Sequence, residues 1–596
     1  MSLNNILSGL EPNPASYASA SAEIENMSCS LLHSARIGIL SSFTSNHLKP
    51  YLVVEAARRG IFADIFFGPY GQFEQQILVP DSSLCDFNPD VLVIAALLED
   101  FSPLLTEGFL SLDQISVQSE IDSVCCRMKG MLESFRGQGT AKLLVFNFTL
   151  PGAPAAGLAD PMLRSSQTEA VASLNSRLAK ICASVSECYV FDYEHLVRDI
   201  GREKMSDNKL QFLARIPFSA EAQKKVSERL SRYIHALFNP PRKCLVLDMD
   251  NTLWGGIVAE DGLGGIHLGE DYPGNIYKSF QKYLLTLRAR GVLLTAASKN
   301  DEKDALAVLE GHTDCLIKKE HFSAFRINWN DKASSLREIA SELNIGLDSL
   351  VFFDDSPVER EWVRENLPEV VVVDVPKDTM RYREALEESG VFDYLVLSEE
   401  DRKRPEMYKT EGQRKELNKK AVSLNDFLAQ LHMTATIGKI DDESLPRVTQ
   451  LLIKTNQFNA TSRRYSASEI NKKLEGGAIG MWIRVSDRFG DNGMVGLGIV
   501  EPEGKSAWRI DCFLLSCRII GRGVEDALLS VLAEETRKNG GSTLIGEYIP
   551  SKKNSLIKDF YPDRGFSLES SEEGFWKYDL NAGVPPKPEF IQLVLK

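Results

Sequence analysis

Apolar and polar positions along the chain fall into three alternating stretches. The first opens on the apolar run "ARIGILSSF", followed by "LKPYLVVEAARRG", whose apolar residues recur every three to four positions. Short apolar runs bounded by turn residues predict buried strands, and the helical recurrence predicts an amphipathic helix. "FADIFFGPYG", "DVLVIAAL", "AKLLVFNF" and "CYVFDY" continue the strands, with helices expected over about 116–137 and 165–184. This alternation predicts an open parallel sheet covered on both faces over residues 36–237. A second alternation, over 238–395, follows the Pro-marked junction "FNPPRKC". Its strands are "KCLVLDMD", "VLLTAASKND" and "SLVFFDDSP"; its helices are "NIYKSFQKYLLTLRARG", "EKDALAVLEG" and "KASSLREIASELN". The charged run "SEEDRKRPEMYKTEGQRKELNKKA" predicts a solvated helical linker over 396–423. A third domain, 424–580, contains a helix at 445–454, the strands "GMWIRV", "GMVGLGIVE" and "AWRIDCFLLS", and a helix after "CRIIGRG". Residues 1–35 and 581–596 read as tails. The expected fold class is α/β in three domains.

Composition narrows the function classes. At 596 residues the chain exceeds a single hydrophobic core, and 43% hydrophobic with 25% charged residues is ordinary for a folded protein. A net charge of -15 argues against duplex nucleic acid as a partner. No apolar run reaches the roughly 20 residues that span a bilayer, so no membrane partner is expected. The N-terminus lacks the basic start and apolar block of a signal peptide. Ten cysteines without a CxxC pair, among them Cys182, Cys244 and Cys512 in apolar surroundings, read as buried thiols of a reducing, cytoplasmic compartment.

The candidate chemistry sits in the second domain. "KCLVLDMDNTLWGG" places Asp248 and Asp250 where an apolar strand ends, the usual ligand-facing position in a parallel sheet. Two carboxylates so close repel unless compensated, and a divalent cation such as Mg²⁺ compensates them. A calcium loop is excluded, because Leu253 stands where its turn glycine belongs and the twelfth position carries no Glu. Ser298 ends a second strand, Lys332 starts a helix, and Asp354 and Asp355 end a third strand. A nucleophilic carboxylate, a hydroxyl, an ammonium and further acids together suit phosphoryl transfer.

"DMDNT", "SKN", "DK" and "FFDD", in that order, resemble the four-part signature of the haloacid dehalogenase (HAD) superfamily. That resemblance implies Asp248 as the nucleophile and Asp250 as the general acid. It further implies Thr252, Ser298 and Lys332 around the phosphoryl group, and Asp248, Asp250 and Asp354 or Asp355 as Mg²⁺ ligands. Only 46 positions separate Thr252 from Ser298, leaving no room for a large cap. "LDMDNTLWGGIVAEDG", "FFDDSPVERE" and "KTNQFNATSRRY" are similar to the FkbH-like branch (subfamily IIIC), as are "YGQFEQQIL" and "DRFGDNGMVG" in the first and third domains. The resemblance implies removal of phosphate from D-1,3-bisphosphoglycerate and delivery of the glyceryl unit to an acyl carrier protein for polyketide and related biosynthesis. Glyceryl-loading members carry a Cys before the Ser of the second motif; this chain has Ala296 and Ala297 there. Cys315, in an apolar run, reads as a structural thiol.

In the third domain, Arg518, Gly521 and Gly523 lie between a strand and a helix, where glycine backbone N–H groups can face a pyrophosphate. With Asn554 and Tyr561 they resemble the acetyl-CoA loop and C-terminal motif of GNAT acyltransferases, implying CoA or phosphopantetheine as ligand. Arg463 and Arg464 are candidates for a phosphate or carboxylate. The first domain is flavodoxin-like in pattern. Its "SSFTSNHL" and Asn147 resemble SGNH esterases, but no His stands before the last helix, so a recognition role is expected. The leading expectation is a Mg²⁺-dependent phosphatase acting on a phosphorylated small molecule and transferring an acyl group to a carrier protein. The rival expectations are a GNAT-type acyltransferase and a non-catalytic assembly factor.

Overall fold

Strands that are apolar at every position lie at the centre of two parallel sheets, because helices cover both faces of such sheets. The computed structural model describes residues 3–27, 32–150, 152–455, 457–551, 554–568 and 574–596. Its contacts divide the chain into two units, Met1–Asn239 with Ser466–Glu469, and Pro240–Tyr465 with Ile470–Lys596.

The first unit carries β1 (His33–Ser41), β2 (Ile61–Phe67), β3 (Val91–Ala95), β4 (Lys142–Phe146) and β5 (Cys188–Phe191). They form one parallel sheet in the order β2-β1-β3-β4-β5. Residues expected to be a tail instead form helices Leu3–Ser8 and Pro14–Glu25. Asn13 caps the second by accepting from Ser16 N, and Pro14 occupies its first turn. Tyr17, Ala20 and Ile24, spaced along one helical face, are buried with Tyr51 and Val54; the Tyr17 hydroxyl donates to Glu55 Oε1 at 2.8 Å.

The second unit contains two sheets. β6 (Cys244–Leu247), β7 (Leu293–Ser298), β8 (Phe322–Ile327), β9 (Leu350–Phe353) and β10 (Val371–Val372) run parallel in the order β10-β9-β6-β7-β8. Cys244 is level with both Leu293 and Leu350. The chain moves from β6 to one side, then returns to the other, so a crevice opens beyond the carboxyl ends of β6, β7 and β9. The C-terminal sheet comprises β11 (Met433–Lys439), β12 (Phe458–Asn459), β13 (Ile479–Asp487), β14 (Gly490–Glu503), β15 (Ala507–Leu515), β16 (Thr543–Glu547), β17 (Ser567–Leu568), β18 (Phe575–Asp579) and β19 (Ile591–Leu595). It is mixed: β15 with β16 and β11 with β19 are parallel, and the other pairs are antiparallel. The expected C-terminal tail thus supplies an edge strand.

The charged linker is a helix, Glu399–Lys420, as expected, but it is solvated on only part of its surface. Arg414 is 2% exposed and forks onto Asp487 of β13 through bonds of 2.8 and 2.9 Å. Arg522 donates to Glu411 at 2.6 Å. Gly291, with φ +94°, lets the helix approach so closely that a Cβ there would sit 1.8 Å from the Asp401 carbonyl. Arg414 and Glu411 are thus spent on partners distant in sequence, while Glu399, Lys403 and Glu406 stay exposed. Among the described residues, no helix is long and apolar enough to cross a membrane.

Candidate active site

Asp248 follows the last residue of β6, Ser298 ends β7, and Asp354 and Asp355 follow β9. Lys332 is the first residue of helix Lys332–Leu343, whose N-cap Asp331 accepts from Ser334 N. The fold therefore brings four sequence-distant segments to one sheet edge. Lys332 Nζ donates to Asp248 Oδ1 and to the Ala297 carbonyl, each at 2.5 Å, and lies 3.2 Å from Asp354 Oδ2. Thr252, fully buried, donates to Asp355 Oδ1 at 3.5 Å.

Electrostatics sets up the cluster. Burial, then the Asp248 charge, pushes Asp354 up to about 7 and Asp355 up to about 6. Burial alone would lower Lys332; Asp248 and Asp354 outweigh it and raise the ammonium above its usual range. Asp248, Asp354 and Asp355 each offer a carboxylate oxygen, and these oxygens lie within 4.8 Å of one another. Asp354 Oδ2 is buried and accepts no well-directed hydrogen bond. Three hard oxygen donors with one buried oxygen unsatisfied and a single ammonium against them fit a divalent cation such as Mg²⁺.

Asp250 is placed differently. Its Oδ1 accepts from Trp254 Nε1 at 2.8 Å and Val258 N at 3.2 Å, and its Oδ2 accepts from Asn300 Nδ2 at 2.8 Å. With both oxygens held, its carboxylate is not among the clustered metal donors, which corrects the expectation of Asp250 side-chain ligation. Burial raises its pKa, as a proton donor requires. Asn300 and Trp254 had no assigned role in the sequence; an amide two positions past Ser298 was the available signal.

Cys315 is buried, donating to the Ile317 carbonyl at 3.0 Å, and burial raises its pKa. Ala297 packs with Ala333 and Leu336 beneath helix Lys332–Leu343, while its carbonyl accepts from Lys332.

In the C-terminal domain the expected coenzyme residues diverge. Gly521 and Gly523 have φ of +77° and +76°, and Gly523 precedes helix Val524–Lys538. A Cβ on Gly523 would lie 2.9 Å from the Phe590 ring. The first turn of the helix carries Glu525 and Asp526, with Arg564 bonded to Asp526. Asn554 is fully buried, donating to the carbonyls of Asn459 and Ile549 at 3.0 and 2.9 Å. Tyr561 is 2% exposed, and burial raises its pKa. Asn554 is therefore spent inside the fold, whereas the Tyr561 hydroxyl is buried without a hydrogen-bond partner among the described residues. Arg463 is held by Asp511 and Glu547 at 2.8 and 2.7 Å, so its charge is internally answered. Arg518 lines a cavity. In the first unit, Asn147 donates to Asp192 Oδ1 at 2.8 Å and accepts from Glu194 N, tying β4 to β5.

The family model of the FkbH N-terminal domain matches residues 36–234. A crystal structure of the N-terminal part of BF1531 from Bacteroides fragilis, containing a phosphatase domain complexed with Mg, is 27% identical. It covers 63% of this chain and 98% of that chain with a TM-score of 0.55. The chain is also similar to GNAT-family structures. The ribosomal-protein-S18-alanine N-acetyltransferase of Escherichia coli is 15% identical over 26% of this chain and 97% of its own, with a TM-score of 0.20. YhbS of Escherichia coli, in complex with CoA, is 16% identical over 27% of this chain and 89% of its own, also at 0.20. Among curated proteins none matches the chain.

Proposed function

We propose that this chain, in which an FkbH N-terminal domain precedes a domain like the phosphatase domain of BF1531, is a HAD-type phosphatase that works through Asp248 with Mg²⁺. The observation that carries this reading is the contact of Lys332 with both Asp248 and Asp354, beside Asp355, at the carboxyl ends of β6 and β9. Asp248, Asp354 and Asp355 would hold the cation, which when bound supplies positive charge against the phosphoryl oxygens.

Asp248 attacks phosphorus, forming a carboxyl–phosphate bond as the bond to the leaving oxygen breaks. Asp250, fixed by Trp254, Val258 N–H and Asn300, donates the proton that the leaving oxygen takes up. It then accepts a proton from the water that cleaves the acyl phosphate, releasing inorganic phosphate and restoring both carboxyl groups. Thr252 and Ser298 bind phosphoryl oxygens, and Lys332 offsets charge on Asp248 throughout.

The finer reading is acyl transfer. The phosphopantetheine thiol of an acyl carrier protein loses its proton and attacks C1 of D-1,3-bisphosphoglycerate, releasing the C1 phosphate. The aspartyl-phosphate steps remove the C3 phosphate, so that the carrier holds a glyceryl thioester, as the FkbH-like resemblance implies. The capless cleft supports a bulky, protein-borne acceptor. Phosphate release from acetyl phosphate and from D-1,3-bisphosphoglycerate, measured for the wild type and Asp248→Asn with Mg²⁺, tests the first step. Release that persists in the variant overturns the reading. Intact-protein mass spectrometry of phosphopantetheinylated carrier proteins incubated with the enzyme and D-1,3-bisphosphoglycerate tests the second. Phosphate release with no carrier gaining a glyceryl mass leaves a phosphatase and removes the transferase.

A further inference from the structure

A cavity of about 440 Å³ lies within the second unit, where the linker helix meets the start of the parallel sheet and the end of β15. That volume is in the roughly 300–1,000 Å³ range of small-molecule sites. It is not the catalytic crevice. Lys243, on its wall, immediately precedes β6 and pairs through its N–H with the Ser349 carbonyl ahead of β9. Asp248 lies at the other end of β6, five residues on and roughly 16 Å away along the strand.

The walls combine an apolar surface from Ile345, Leu451 and Tyr408 with cations and with the carboxylates of Asp348, Glu369, Glu400 and Asp401. Most cations of this unit are answered by carboxylates; Arg404, in the same wall, bonds Asp401 and the Gly291 carbonyl. Arg447 and Arg518 differ. The Arg447 Nε is buried without a hydrogen bond and has only a long ion pair to Glu400, at 3.9 Å, while its other nitrogens donate to Gln450 Oε1 and the Met494 carbonyl. Arg518 donates to Ser516 Oγ at 3.2 Å and touches Met407 Sδ. Among the described residues none brings a carboxylate within 4 Å of Arg518. Burial pulls both guanidinium groups below their usual range. For Arg518, a desolvated guanidinium without an adjacent carboxylate is costly, and a planar two-oxygen anion satisfies it best, with Arg447 beside it to share the charge.

We propose that this cavity is a second ligand site, which takes an organic anion whose phosphate or carboxylate head lies between Arg447 and Arg518. The apolar body of the ligand rests on Ile345, Leu451 and Tyr408. Occupancy joins three parts that the chain contributes separately: the loop ahead of β9, the linker helix and the C-terminal sheet.

The test is isothermal titration of the full chain at pH 8 in EDTA. There the metal-free catalytic crevice sets the carboxylates of Asp248, Asp250, Asp354 and Asp355 against the Lys332 ammonium and repels anions. Inorganic phosphate, pyrophosphate and citrate are titrated separately into the wild type, Arg447→Gln and Arg518→Gln, with melting curves as a control for folding. The expected result is saturable binding of one equivalent of a phosphate or of citrate, weakened at least about tenfold in each variant that melts like the wild type. Which probe binds distinguishes a phosphorylated from a carboxylated ligand. Should Arg518→Gln not fold, Arg447→Gln and Lys243→Gln carry the comparison. No saturable binding of any probe, or binding unchanged in the folded variants, overturns the proposal.

Discussion

Lys332 and Asp248 are joined by a hydrogen bond of 2.5 Å although 84 positions separate them in sequence. The ammonium is 3% exposed and also faces Asp354. It is the counter-charge that lets the carboxylates share one crevice. Replacing it by an apolar residue leaves buried negative charge unanswered, which costs about 3–5 kcal/mol. Lys332→Met should therefore lower the urea midpoint sharply in EDTA and less so in Mg²⁺, with phosphatase activity lost in both.

The acids predict a pH dependence of stability. Asp354 near 7 and Asp355 near 6 lie above the unfolded carboxylate range. The folded metal-free protein thus holds protons more tightly than the unfolded chain. Their contribution is complete below pH 4 and is lost as pH rises through 6 to 7. Melting temperatures in EDTA should carry a falling component from pH 5 to pH 8 that is reduced in Asp354→Asn. Mg²⁺ affinity should rise over the same window, because the cation competes with those protons.

Asn300 acts by positioning Asp250, to which it donates at 2.8 Å. Asn300→Ala should lower kcat about 10–100-fold with little change in KM, since small displacements of a proton donor carry such costs. The acidic group in the kcat–pH profile should shift as well, which distinguishes positioning from a merely structural loss. Asn300→Asp should not restore the wild-type profile, because it sets a like charge against Asp250.

Arg414 and Asp487 form a buried pair far from the crevice. Arg414→Met alone should destabilise the second unit by about 3–5 kcal/mol, whereas the double variant Arg414→Met/Asp487→Leu should regain most of it. Urea denaturation of the three proteins measures the coupling.

Ala297 stands immediately before Ser298 at the end of β7. Its side chain packs against Ala333 and Leu336, so the thiol of Ala297→Cys should resist modification by an aromatic disulfide in the native state. Overfilling that layer should cost about 1–3 kcal/mol.

The parallel sheets were legible because a doubly covered strand must be apolar throughout, as "CLVL" and "VLVIA" are. The crevice was legible because the polar residues follow those runs directly: Asp248, Ser298, Asp354 and Asp355 each sit where a strand stops. What stayed hidden depends on partners that local pattern does not reveal. The linker helix has no regular apolar stripe, and its partial burial depends on where Asp487, Arg522 and Gly291 lie and on the isolated Tyr408. Asp250 was expected both as general acid and as metal ligand, and nothing in the local pattern reveals that Trp254 and Asn300 hold its two oxygens. The N-terminal helices were masked by a run of Ser and Ala, although Asn13-Pro14 and the Tyr17–Ile24 spacing do announce them. Asn554 and Tyr561 matched a motif, but burial depends on the whole domain.

Gly291 has a practical consequence. Because the Asp401 carbonyl rests where its side chain would be, and Tyr408 fills a place in the layer beneath helix Lys332–Leu343, the phosphatase-like fold does not finish at residue 395. A fragment cut there would uncover a glycine seat and an aromatic socket, and should aggregate on expression; one extended through the linker keeps its lid.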